Sequence, residues 1–170
     1  DVLCKSSFGF NSTQLMVLLY FMLVALAWSF TQVFTGRAAF IHLGAITATI
    51  MSANVFLIII PNQKKVVADM IAGNAPGPGL GWQAKQRSVH NNYLTLPIIF
   101  LMLSVHYPLA FATEFNWVIA SLVFLMGVTI RHYYNSKHAR IGKPKWTWLA
   151  SGLLFTIIIW LSTIQTLRTN

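Results

Sequence analysis

Five long apolar stretches constrain what this chain can fold into. They run over about Leu15–Phe34, Ala38–Ile60, Leu94–Phe111, Trp117–Ile130 with Arg131–Tyr134 as an extension, and Trp148–Leu167. A helix needs about 20 residues to cross the roughly 30 Å hydrocarbon core of a bilayer, and lipid requires every backbone polar group to be paired within the protein. The sequence therefore predicts an all-α protein, a polytopic transmembrane helix bundle of about five spans in a lipid bilayer.

Composition agrees with this class and excludes others. The chain is 56% hydrophobic and 9% charged, which is too apolar for a water-soluble domain of this size. Its net charge of +9 comes from basic residues beside the apolar stretches, a pattern that suits an anionic membrane surface and not nucleic acid. The single Cys4 excludes an internal disulfide, a cysteine-rich zinc site and the attachment motif of covalent haem. Any metal chemistry must depend on histidines.

The distribution of basic residues predicts an orientation. Segments 62–89 and 135–145 are rich in lysine and arginine, whereas the turns on the other side hold only Arg37 and Glu114. The positive-inside rule then places both basic segments and the N-terminus in the cytoplasm, and the C-terminus on the opposite face.

The connection Asn62–Val89 is predicted to be a cytoplasmic loop, because prolines and glycines at 74–81 break any helix. We expect residues 1–170 to form a single membrane domain without a cytochrome c domain. Since residue 1 is Asp1 and not methionine, the chain is expected to be either a processed product or a fragment of a longer membrane domain.

Four histidines lie near the ends of the predicted spans, where ionisable residues are costly and therefore functional candidates. His42 and His106 share the outer level, and His90 and His132 share the inner level. On one helix, His90 and His106 are separated by about 24 Å along the axis and about 160° around it, so one metal cannot bind both. Paired across helices, the four histidines are candidate metal ligands, and haem b is the conditional cofactor. Histidines bonded to headgroups or backbone are the alternative.

A cluster of hydrogen-bond donors marks the entrance to the third span. It consists of Lys85, Arg87, His90, Asn91 and Asn92. Arginine and lysine pair with negative charge while amides bind ring edges, so the cluster favours a planar anionic ligand. A positively charged anchor for lipid headgroups is the alternative.

Several blocks of the sequence resemble one family. The blocks are Gly36-Arg37 through Ala45, Asn54-Val55-Phe56, Ile60–Lys65, Ala84–Ser88, His90–Pro97, His106-Tyr107-Pro108 and Arg131-His132. Over about residues 36–135 they are similar to the membrane domain of the cytochrome-c-linked urate hydroxylases, and the block His90–Pro97 is the most specific of them. The resemblance implies oxidation of urate to 5-hydroxyisourate, transfer of electrons to a c-type cytochrome, and a multi-pass location in a bacterial inner membrane.

With this resemblance, the donor cluster becomes the expected urate site. Lys85, Arg87, Asn91 and Asn92 would bind the urate anion, and His90 would be the general base that removes a proton as water adds. Since the cytochrome would lie on the opposite face, a carrier within the membrane is required, and haem b between the histidine pairs is the expected one. The alternative is a non-catalytic accessory subunit, haem-binding or structural, beside other membrane subunits of a larger oxidoreductase complex.

Overall fold

The computed structural model describes the backbone of residues 12–168 and the side chains of residues 13–164. The described residues form helices and no strand. The α-helices are α1 (Ser12–Val33), α2 (Gly36–Asn54), α3 (Ile60–Ile71), α4 (Leu80–Leu103), α5 (Asn116–His138) and α6 (Trp146–Arg168). The all-α prediction is confirmed.

Five helical segments of the described chain are long and apolar enough to cross a membrane. They are Thr13–Val33, Gly36–Ile71, Leu80–His106, Asn116–His138 and Trp146–Ile164. Their number and order agree with the five predicted spans. The fold is therefore that of a multi-pass membrane protein.

The prediction of a loop over Asn62–Val89 is wrong. A π-helical turn, Val55–Ile59, joins α2 directly to α3, and only residues 72–79 between α3 and α4 are not helical. Pro61 does not end the helix; it lies in the first turn of α3, directly after the π-helical turn. The 36 residues from α2 to α3 would extend for about 54 Å at 1.5 Å each, so they exceed the hydrocarbon thickness and continue beyond it.

Helix α4 begins at Leu80 and not at Leu94, the predicted start of the third span. Gly79, with φ of +82°, precedes it in the left-handed conformation that glycine adopts easily. At the other end, α4 gives way to two 3₁₀ turns, Ser104–His106 and Pro108–Ala110. Pro108 disfavours helical backbone in the residue before it, and Tyr107 indeed has φ −125° and ψ 87°.

The centre of the bundle is formed by α2, α4 and α5. Phe40, Leu43, Leu101, Ile119 and Val123 are at most 2% exposed there. Helix α4 packs between α2 and α5, while α1 contacts α2 and α5, and α6 contacts α5. Apolar side chains of α1 and α6, such as Phe21 and Leu149, are exposed on the outside of the bundle, as lipid-facing positions require.

Helices α4 and α5 approach most closely where Gly127 faces Pro97. A β-carbon placed on Gly127 would lie 2.5 Å from Pro97 Cδ, so only glycine permits this separation. Tyr93 lies one turn before Pro97, and Arg131 lies one turn after Gly127. Because the two helices are antiparallel, this contact fixes the spacing of the side chains that form the site described next.

Candidate functional site

One end of the bundle collects most of the positive charge. Hydrogen bonds between helices show which segments meet there. The side chain of Asn62 on α3 donates to that of Gln83 on α4, at 3.3 Å. The hydroxyl of Tyr93 on α4 is hydrogen-bonded to His132 on α5, at 3.2 Å. The basic residues carried by these segments and by the connection 139–145 are Lys64, Lys65, Lys85, Arg87, Arg131, Lys137, Arg140, Lys143 and Lys145. We call this the basic end.

A cavity of about 500 Å³ opens between α4 and α5 at the basic end. Its size falls within the usual range for small-molecule sites, about 300–1,000 Å³. It is lined by Ser88, Val89, Asn92 and Tyr93 of α4, by Arg131, Tyr134, Asn135 and His138 of α5, and by Ala139. We refer to it as the α4/α5 cavity.

Two buried polar atoms on residues of the cavity lining have no hydrogen-bond partner among the described residues. They are Oδ1 of Asn92 and Nε of Arg131. Leaving a buried donor or acceptor unpaired costs about 1–3 kcal/mol, and more for a charged group. A cationic side chain and an amide side chain line this cavity from facing helices, which suits it to a polar, negatively charged ligand.

A tyrosine and a histidine lie beside these two residues. Tyr93 lines the cavity, and its hydroxyl is hydrogen-bonded to Nδ1 of His132. The His132 ring lies 6.1 Å from the ring of Trp146, centroid to centroid. Since a histidine nitrogen accepts or donates a proton according to its tautomer, the pair can move a proton at the cavity wall.

The structure distributes the predicted urate cluster over different faces of α4. Arg87 and His90 are buried on the face that packs into the bundle, at 5% exposure each, while Lys85 is exposed. Asn91 faces α2, and Asn92 lines the α4/α5 cavity. Helical spacing explains the division, because consecutive residues project about 100° apart. Of the five, only Asn92 contributes to this cavity.

Asn91 connects α4 to α2. Its Oδ1 accepts a hydrogen bond from Nδ2 of Asn54, at 3.0 Å, and its Nδ2 donates to the carbonyl oxygen of Met51, at 2.9 Å. Asn54 is the last residue before the π-helical turn Val55–Ile59. The amide of Asn91 is thus used on both sides for packing between helices.

His90, the predicted general base, lies in the third turn of α4. Its ring is buried, and its Nε2 has no hydrogen-bond partner among the described residues. It is not part of the wall of the α4/α5 cavity. Its catalytic role stays a prediction.

The two outer histidines are exposed. The His42 ring stacks on that of Phe34, with centroids 4.4 Å apart and planes 6° apart, and its Nδ1 is bonded to the carbonyl of Ala38, at 2.7 Å. His106 lies in the first 3₁₀ turn after α4. Of the four predicted metal ligands, His90 is therefore the most deeply buried, and the outer pair lies on the surface of the described bundle.

The four histidines do not share a cavity suited to haem. Besides the α4/α5 cavity, an apolar pocket of about 230 Å³ lies between α1, α4 and α5, and a third lies along α3. None of these three cavities is lined by His42, His90, His106 or His132. Over the described part of the chain, no three His, Cys, Asp or Glu side chains are grouped to hold a metal ion. Haem b between histidine pairs stays a prediction, and we assign no step to it.

Sequence reasoning named one residue of the cavity lining, Asn92, and missed the others, among them Tyr93 and Arg131. The sequence placed Arg131 at the edge of a basic segment. In the structure it lies within α5, opposite Tyr93 of α4. An arginine followed by histidine, directly after the apolar part of α5, was the available signal. What the sequence could not supply was the facing of the two helices.

Comparison with known protein families gave a match to this chain. The family model described as urate oxidase N-terminal matches residues 1–162. The chain belongs to this family. The match extends beyond residues 36–135, the part over which the sequence blocks indicated the resemblance, and it includes both helices of the α4/α5 cavity. Comparisons with curated proteins and with solved structures gave no match. Membership in the urate oxidase N-terminal family points to a function related to urate.

Proposed function

We propose that this protein oxidises urate to 5-hydroxyisourate and passes the electrons to a c-type cytochrome. The observation that carries the proposal is the match of residues 1–162 to the urate oxidase N-terminal family. The positively charged α4/α5 cavity supports it, because urate is a planar anion that carries both carbonyl oxygens and ring N–H groups. A c-type cytochrome is the acceptor implied by the resemblance of the sequence blocks to the urate hydroxylases.

The reaction consumes water and releases protons and electrons. Urate and one water give 5-hydroxyisourate, two protons and two electrons, and the two electrons reduce two molecules of a one-electron c-type cytochrome. The protein must bind the anion, hold a water beside the ring carbon and accept a proton from that water. His90 is the base expected from the sequence, whereas the Tyr93–His132 pair is the one at the cavity wall.

The basic end is proposed to face the cytoplasm of a bacterium. The positive-inside rule supports this orientation, which places the N-terminus in the cytoplasm and the C-terminus in the periplasm of the inner membrane. Urate would then enter from the cytoplasm, and the cytochrome would dock on the periplasmic face. Electrons have to cross the bilayer between them, with other membrane subunits as proposed partners.

The test is reduction of ferricytochrome c by urate in native membranes. Membranes that contain the protein are compared, under anaerobic conditions, with membranes from a deletion strain, and the reaction is run in water labelled with heavy oxygen. We expect cytochrome reduction that depends on urate, two ferrocytochromes for each urate, and label in the product, all absent from the deletion strain. Equal rates in the two membranes, or no urate-dependent reduction, would leave only the accessory-subunit alternative.

A further inference from the structure

The wall of the α4/α5 cavity combines a cationic donor with a neutral acceptor. The side chains of Arg131 and Asn92 line the cavity, and Arg131 Nε and Asn92 Oδ1 have no hydrogen-bond partner among the described residues. They come from different helices, and the contact of Pro97 with Gly127 fixes the spacing of those helices one turn away. Since both side chains line the cavity, a single ligand can contact both of them.

Arg131 has no carboxylate nearby to balance its charge. The described chain has two acidic residues, and neither lines the cavity. Asp69 accepts a hydrogen bond from the backbone N–H of Gly77, and Glu114 lies in the turn at the opposite end of α5. Since a charge withdrawn from water needs a partner of opposite sign, the cavity favours an anion.

The Asn92 acceptor narrows the class of anion. An amide side chain pairs with a ligand edge that both donates and accepts hydrogen bonds, whereas the phosphodiester group of a lipid only accepts them. Tyr93 and Tyr134 add aromatic rings to the lining, and such rings pack well against a flat ligand. The combined chemistry selects a planar ring that carries negative charge on one edge and N–H groups on another.

We infer that the α4/α5 cavity is a binding site for a planar, amide-bearing monoanion of the urate class. The guanidinium of Arg131 pairs with the anionic edge, and the amide of Asn92 hydrogen-bonds an edge that carries a ring N–H and a carbonyl oxygen. This inference rests on the proposed function for the identity of the substrate. Of the five residues expected from the sequence to form the urate site, this assignment keeps only Asn92, and it adds Arg131 from the facing helix.

The test is direct binding of radiolabelled urate by equilibrium dialysis. The full-length native protein is placed in nanodiscs of neutral phosphatidylcholine, and Arg131→Gln and Asn92→Leu are compared with wild type. Lys137→Gln is the matched control, since it removes one exposed positive charge from the same helix outside the cavity lining. We expect Arg131→Gln to weaken binding by about 10- to 100-fold and Asn92→Leu by about 10-fold, and the control by less than about threefold.

A second variant separates loss of binding from loss of fold. Arg131→Lys keeps the charge and loses the planar fork of donors, so we expect it to bind with intermediate affinity. Circular dichroism and monodisperse elution establish that each variant is folded. If no variant at Arg131 elutes as a folded protein, competition by inorganic phosphate against urate on the wild type decides the matter, and strong competition would contradict the inference.

The possible results distinguish failure of the cavity assignment from failure of the proposed function. If wild type reduces cytochrome c with urate while Arg131→Gln binds urate normally, the cavity assignment alone is overturned. If wild type neither binds nor oxidises urate, the proposed function fails and the site fails with it. If phosphatidylglycerol in the nanodisc abolishes urate binding in wild type but has no effect on Lys137→Gln, the cationic surface is a headgroup anchor and the inference is wrong.

Discussion

The contact between Gly127 and Pro97 predicts a large penalty for adding a single methyl group. In Gly127→Ala, the new β-carbon would lie 2.5 Å from Pro97 Cδ and 2.6 Å from its Cγ, whereas ordinary contacts begin near 3.4 Å. The proline ring is rigid and buried, so it cannot rotate away. Helices α4 and α5 must instead separate by about 1 Å, and overpacking of this kind costs about 1–3 kcal/mol.

The control is Gly152→Ala on α6, where an added β-carbon meets nothing within 4 Å. Both substitutions replace a helical glycine, so both gain the same preference of alanine for the helix, about 0.5–1 kcal/mol. That gain cancels in the comparison. The difference between the two variants therefore isolates the clash, and we expect Gly127→Ala to be less stable than Gly152→Ala by about 1–3 kcal/mol.

The assay is the free energy of unfolding, measured by titration with a denaturing detergent from mixed micelles. Urate oxidation is measured on the same samples, because Arg131 lies one turn from Gly127. A separation of about 1 Å between reacting groups lowers turnover by as much as about 100-fold, and Gly152→Ala should retain it. Equal unfolding free energies for the two variants would refute the close contact and, with it, the argument for how the cavity is spaced.

Two further predictions concern residues expected from the sequence to form the site. Asn91→Leu removes both hydrogen bonds from α4 to α2, including that with Asn54. We therefore expect the free energy of unfolding in denaturing detergent to fall by about 1–2 kcal/mol. An unchanged free energy of unfolding would contradict this packing role. The second prediction concerns proton removal and is measured by cytochrome reduction. We expect His132→Gln to lower kcat for urate oxidation about 100-fold and His90→Gln to lower it less. The reverse order would favour His90 as the general base.

The sequence predicted the number of spans correctly, but it misplaced where the helices end. Hydropathy gives the apolar segment that the hydrocarbon core can contain. Helix α4 begins at Leu80, well before that apolar segment starts. Outside the apolar region, water and side chains such as Asn62 and Gln83 support the helix. No rule based on apolar length alone could have placed the true ends of α3 and α4.

The residues predicted to bind urate lie on one segment, α4, but on different faces of it. Consecutive polar residues in a helix, such as Asn91 and Asn92, project in different directions and cannot all contact one ligand. A buried proline in α4 and a π-helical turn after Asn54 alter which face meets which neighbour. These local changes of direction depend on packing, so a sequence pattern read on ideal helices assigns them poorly.

The sequence by itself determined that this chain is a membrane bundle with its positive charge collected at one end. Both properties follow from transfer of side chains between water and lipid, which depends on each residue's own chemistry and not on its neighbours in space. Only the tertiary structure decided that Asn92 and Arg131 border one cavity while His90 faces the protein interior. The rotation and separation of α4 and α5 decide this, and a close contact such as that of Pro97 with Gly127 sets both.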